Sequence, residues 1–211
     1  MLLVLDMNAN DNKRKFIANL LKTLKYYKLK YKKTRDIRKI AAISREHKIT
    51  GIIISGSSLS VNKITKPIAD KLIMMLYNFA QLEIPILGIC FGYQILNTMF
   101  GGSIIQMAAN KKGFYNIYRK GEHHLFKNFP ERFKVELYHN DMIDRLANFF
   151  KVIAVDYHGN PMAIVNDKHK IYGTQFHPEG RAETQAIIMN FVNICEAETE
   201  TKVTTRSKSS K

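Results

Sequence analysis

Three uninterrupted apolar runs, Leu2–Leu5, Gly51–Ile54 and Ile86–Ile89, are separated by stretches whose apolar residues recur every three or four positions. A run without polar alternation is apolar on both sides, so it belongs in a sheet covered on both faces. Helices between such strands supply the covers and make neighbouring strands parallel. One helix is basic and amphipathic, with Phe16, Ile17, Leu20, Leu21, Leu24 and Tyr27 at helical spacing. A second carries Ile37, Ile40, Ala41 and Ser44, and a third opens at Pro67 with Ile68, Leu72, Ile73 and Leu76 on its apolar face. A Lys-rich strand is expected near 30–33. After Gly101-Gly102 the texture changes to β-like pieces at 114–118, 133–138, 150–155, 162–165 and 171–176, closed by a helix over 183–195. The pattern predicts an α/β fold: a mixed, mainly parallel sheet with helices on both faces. In such sheets, ligands collect at the carboxyl ends of the strands.

With 211 residues, 45% of them hydrophobic and 24% charged, the chain is sized and composed for one globular domain. That domain is read as 1–196, followed by a basic tail, 197–211, that lacks aromatics and is expected to be flexible. The net charge of +15 is concentrated: 13–39 holds twelve Lys or Arg against Asp36 alone, and 201–211 holds four and no acid. On the helix these charges form a solvated face or a docking surface for an acidic partner. No zinc finger, RNA-recognition signature or Arg-rich loop supports nucleic acid as that partner. The first apolar run meets Asp6 and Asn8 at once, far short of the roughly 18 residues of a spanning helix, and lacks the basic start of a signal peptide. A soluble cytoplasmic protein without a membrane partner is expected. Two cysteines, Cys90 and Cys195, exclude a multi-bridge framework or a four-cysteine zinc site.

Gly88-Ile89-Cys90-Phe91-Gly92-Tyr93-Gln94 stands where an apolar strand hands over to a helix. Glycines on either side of a cysteine permit the tight turn that lifts a nucleophile above a sheet, and a helix N-terminus favours the thiolate. A small buried cysteine filling a core gap has the same local signature. A second stretch, Gly173-Thr174-Gln175-Phe176-His177-Pro178-Glu179, places an imidazole and a carboxylate two residues apart after the strand at Ile171-Tyr172. A cysteine nucleophile needs a base, and the base needs a group that orients it; Cys90, His177 and Glu179 can supply all three.

These two stretches resemble the class I, or triad, glutamine amidotransferases. Gly88 to Gln94 is similar to the family's G-x-C-x-G-x-Q motif, and Gln175 to Glu179 to its Q-F-H-P-E motif, with the resemblance extending from Leu2 to about Cys195. It implies a flavodoxin-like fold, L-glutamine as substrate, ammonia as the useful product and no cofactor. Carried over residue by residue, Cys90 is the nucleophile, His177 the general base and acid, Glu179 its orienting carboxylate, and Gln94 a holder of substrate. The family's glycine-rich turn after the third strand, commonly S-G-G-P, is Ser55-Gly56-Ser57-Ser58 here. Its second glycine and its proline are replaced, and a side chain at Ser57 restricts the backbone. The resemblance assigns the oxyanion donors to the backbone around Gly56, Ser57 and Phe91. Tyr138-His139-Asn140-Asp141 is similar to the S-H-G-D stretch of GMP synthase glutaminase domains, which makes Asn140 and Asp141 substrate binders. With no phosphate-loop sequence and no room for an ATP-using synthetase domain, amination implies a separate synthetase chain.

Two other functions fit the same motifs: a γ-glutamyl hydrolase, which needs no synthetase, and a catalytically degenerate binding or regulatory module. Elsewhere, His123-His124 and His169 lack ligands at metal spacing and read as surface histidines. Cys195 reads as packing, and Phe126, Phe129, Phe149 and Phe150 as hydrophobic anchors.

Overall fold

The computed structural model describes residues 1–8 and 15–208, with side chains as far as residue 197. Its strands are β1 (Leu2–Leu5), β2 (Tyr31–Thr34), β3 (Gly51–Ile54), β4 (Ile86–Ile89), β5 (Ser103–Arg119), β6 (Arg132–Arg145), β7 (Lys151–Val155), β8 (Pro161–Asn166) and β9 (Ile171–Thr174). They form one sheet in the order β2-β1-β3-β4-β9-β8-β7-β5-β6. From β2 to β9 the pairings are parallel, and from β9 to β6 antiparallel. The sheet is therefore mixed, and β9 is the seam where direction changes.

The helices are α1 (Lys15–Tyr26), α2 (Ile40–Glu46), α3 (Lys66–Gln81), α4 (Phe91–Met99) and α5 (Ala186–Lys208). Strand side chains alternate between two apolar layers. Leu2, Val4, Ile53, Leu87 and Ile89 face a layer built with Ile17, Leu20 and Leu24 of α1 and Ile187, Phe191 and Cys195 of α5. Leu3, Leu5, Ile52, Ile54 and Ile86 face the other, built with Leu72 and Leu76 of α3 and Phe91 and Leu96 of α4. Both faces are thus covered, which is why β1, β3 and β4 are continuous apolar runs. β2 is an edge strand, and its exposed Lys32 and Lys33 discourage pairing with another chain.

Several local expectations change. Ile68 and Tyr27 are exposed rather than on the buried faces, because α1 and α3 bury narrower stripes than their apolar residues suggested. β5 starts eleven residues earlier than the piece expected at 114, with a break in register between Gln106 and Lys111. α5 runs to Lys208, past the 183–195 span, while Ala182–Thr184 is a short 3-10 turn braced by the Thr184 hydroxyl donating to the Pro178 carbonyl at 2.8 Å. The flexibility expected for 197–211 concerns residues outside those whose side chains are described. His123 is not a plain surface histidine: its Nε2 meets Asp167 at 2.9 Å and its Nδ1 accepts from the Leu125 N–H at 3.1 Å. Among the described residues, no group of three or more His, Cys, Asp or Glu could hold a metal ion, and no helix is long and apolar enough to cross a membrane.

Candidate active site

β4 and β9 lie side by side in parallel, with Gly88 opposite Gly173 and Ile89 opposite Thr174. Residues far apart in sequence therefore leave the sheet together at its carboxyl edge. Cys90 follows β4 immediately and begins α4 with φ 52° and ψ −100°, a sparsely populated conformation for a residue with a side chain. Its N–H donates to the Thr174 carbonyl at 2.7 Å, so β9 itself holds the strained turn. The flanking glycines are required by close approach: a Cβ on Gly88 would strike the Gly92 backbone, and one on Gly92 would strike the Ile54 carbonyl oxygen.

Two residues after β9 the chain reaches His177, whose Nδ1 lies 2.9 Å from Glu179 Oε1 at the start of the 3-10 turn Pro178–Gly180. The His177 N–H donates to the Glu136 carbonyl of β6 at 2.9 Å. Cys90, His177 and Glu179 are buried at 3%, 2% and 2% exposure, and the sulfur and imidazole are near enough to hydrogen-bond. Burial alone would depress the imidazole, but the Glu179 charge, the Cys90 sulfur and the hydrogen bonds to both outweigh it and raise its pKa to about 10. A protonated imidazole beside the sulfur stabilises negative charge there.

The surrounding residues are placed unevenly relative to expectation. Gln94 is buried, and its amide donates to the Asp141 carbonyl at 2.8 Å and to Gln175 Oε1 at 3.1 Å. Gln175, given no role in the sequence reading, extends its own amide to within 3.8 Å of Cys90 Sγ. Asn140 is exposed, whereas Asp141 is buried and offers its backbone carbonyl inward. At the turn after β3, the Ser55 hydroxyl accepts from the Met7 N–H at 3.0 Å and donates to the Gly56 carbonyl at 2.9 Å. A Cβ on Gly56 would come within 2.8 Å of His177 Cε1, so this turn touches the imidazole. Ser57 is absent from the residues with positive φ, so a side chain in place of glycine costs no left-handed strain there. Among the described residues, neither the Ser57 nor the Phe91 N–H donates to a protein acceptor.

His139 on β6 is a second buried imidazole that sequence reasoning passed over. Its Nδ1 contacts the Asp141 carbonyl at 2.8 Å, while Nε2 is buried without a partner. Burial chiefly, with the Lys111 and His177 charges, lowers its pKa to about 4 against the pull of the Asp141 hydrogen bond. The unfolded chain takes up this proton near the ordinary 6.5 but the folded chain does not until about 4. Stability is therefore lost as pH falls through that window, by at most about 3 kcal/mol, and is unaffected by this group at higher pH. Urea midpoints should fall across the window in the wild-type protein, and His139→Asn should flatten that slope. An equally steep slope in the variant contradicts the assignment.

The family model for class I glutamine amidotransferases matches residues 8–195. The chain belongs to that family. This amidotransferase is 39% identical over 155 residues to a glutamine-hydrolysing GMP synthase of Borreliella burgdorferi (strain N40), a match covering 71% of this chain and 29% of that relative's length. It is 31% identical to one of the separately encoded chains of the glutamine-hydrolysing GMP synthase of Methanococcus aeolicus, covering 88% of this chain and 95% of that one. A crystal structure described as a putative GMP synthase subunit from Thermoplasma acidophilum shares the fold, with a TM-score of 0.78, 22% identity, and coverage of 95% and 96% of the two chains.

Proposed function

We propose that this amidotransferase hydrolyses L-glutamine to glutamate and ammonia and delivers the ammonia to a separate, ATP-using synthetase, as the glutaminase chain of a two-chain GMP synthase in the cytoplasm. The observation that carries the proposal is the meeting of Cys90 with the His177–Glu179 pair at the carboxyl edge of β4 and β9. The likeness to the GMP synthase chains of Methanocaldococcus jannaschii and Methanococcus aeolicus, along 95% of the length of each, supports the two-chain reading.

In this reading the Cys90 sulfur attacks the side-chain carboxamide carbon of glutamine, and the carbonyl oxygen becomes an oxyanion. The Ser57 and Phe91 N–H groups are the donors for that oxyanion, a contribution typically worth about 10²- to 10³-fold per donor. His177 gives its proton to the departing nitrogen, ammonia leaves, and a glutamyl thioester remains. His177 then removes a proton from water as the water attacks the thioester, and glutamate departs as the sulfur is regenerated. Glu179 keeps the imidazole in the tautomer that presents Nε2 to the sulfur.

The test is ammonia release from glutamine by the purified chain, alone and with a candidate synthetase chain from the same organism. Equimolar ammonia and glutamate, with the ammonia captured into GMP when synthetase, ATP and XMP are present, is the expected result. Turnover of γ-glutamyl conjugates without turnover of glutamine would instead make the chain a γ-glutamyl hydrolase. No turnover and no adduct with a glutamine-mimicking electrophile would make it a degenerate binding module.

A further inference from the structure

We propose that Phe16, at the start of the basic helix α1, is a positioning residue for the His177 imidazole. The inference rests on the reading of His177 as the general base and acid. The two rings are stacked, with centroids 3.6 Å apart and planes 13° from parallel. Helical spacing alone assigns Phe16 to the apolar face, next to core residue Ile17. In the structure it sits on the shoulder of that face, half-buried, against the turn that carries His177.

This placement is anchored on both sides. The neighbouring Lys15 ammonium meets Glu136 Oε1 at 2.6 Å, and the Glu136 carbonyl accepts the His177 N–H. Tyr138, two residues further along β6, faces the Phe16 ring with centroids 6.1 Å apart. The first turn of α1 and the backbone of His177 are thus tied to the same short piece of β6.

The contact supplies what the other partners of His177 do not. Glu179 restrains one edge of the ring, through Nδ1, but leaves the ring free to tilt about that contact. A flat aromatic surface against one face prevents the tilt and keeps water off the imidazole. The electron-rich face also favours the imidazolium, an interaction an aliphatic side chain of similar bulk cannot provide. Ionisable groups around the ring are Glu179 on its own turn, Cys90 from the β4–α4 junction, Glu136, Tyr138 and His139 from β6, Lys15 from α1, and the Arg181–Glu183 pair just beyond. None of them is altered by a change at Phe16, so a shift in pH dependence reports the stack.

The experiment compares Phe16→Leu and Phe16→Met with Phe16→Tyr in the full chain. The readouts are glutaminase kinetics, thermal unfolding, and the pH profile of Cys90 alkylation by iodoacetamide, followed by mass at the Cys90 peptide. Phe16→Leu and Phe16→Met should lower kcat by roughly 10- to 30-fold with KM little changed. They should also move the alkaline limb of both profiles to lower pH, because the imidazolium loses its π partner. Phe16→Tyr should stay near wild type, and unfolding temperatures should differ little. Aliphatic variants that match Phe16→Tyr in rate and profile overturn the proposal. If wild-type protein releases no ammonia, the glutaminase reading fails by itself, and the alkylation profiles still decide whether Phe16 acts on His177.

Discussion

Cys90→Ala should abolish ammonia release, lowering kcat by roughly 10⁴- to 10⁶-fold, while leaving a folded protein. The size of the loss follows from chemistry: no other nucleophile of the described residues accompanies His177 at the carboxyl edge of β4 and β9, and alanine cannot form a thioester. Fold retention follows from the sulfur's surroundings. Sγ has only two long contacts, 3.7 Å to the Tyr138 carbonyl and 3.8 Å to the Gln175 amide. The strained backbone at this position is held instead by the Cys90 N–H bond to Thr174, which alanine keeps. Stability should therefore change by no more than about 1–2 kcal/mol. Ammonia release and urea unfolding measured side by side check both halves. Full activity in the variant would remove Cys90 from the chemistry.

Glu179→Gln should cost roughly 10³- to 10⁴-fold in kcat with little effect on substrate binding. The glutamine side chain has nearly the same shape, so the 2.9 Å contact to Nδ1 can persist, but the negative charge that stabilises the imidazolium is gone. Because that charge helps raise the His177 pKa to about 10, its removal lowers the pKa. The alkaline limb of the rate profile should then move to lower pH. The same shift has a stability signature. In the wild-type protein the charged pair stabilises the fold fully below the ordinary histidine value of 6.5 and loses that contribution as pH rises through about 10. The variant should show less alkaline destabilisation. An unchanged rate, or an unmoved alkaline limb, would show that Glu179 does not act through His177.

What was legible beforehand divides along physical lines. β1, β3 and β4 are buried on both faces, so their sequences carry an uninterrupted apolar signal. Most of β5 before residue 114 is exposed on both sides and broken in register between Gln106 and Lys111, so no period-two pattern announces it. Cys90, His177 and Glu179 were legible because each needs particular neighbours in the chain: two glycines around one, two residues of spacing between the others. Gln175 stood inside a recognised motif, yet its approach to Cys90 depends on the β4–β9 register, which no local pattern encodes. Phe16 was less accessible still. Its spacing marks it as a core residue, and only the packing of α1 on a turn some 160 residues away turns it toward the imidazole.

The position of β9 carries a consequence for biosynthesis. It is the last strand to leave the ribosome, yet it inserts between β4 and β8, in the interior of the sheet. Until it does, β4 has an open edge, and the carbonyl that holds the Cys90 turn is missing along with the imidazole that follows it. A nascent chain ending before residue 171 can fold much of one layer but should carry an inert thiol, so the enzyme's chemistry switches on only at the close of translation.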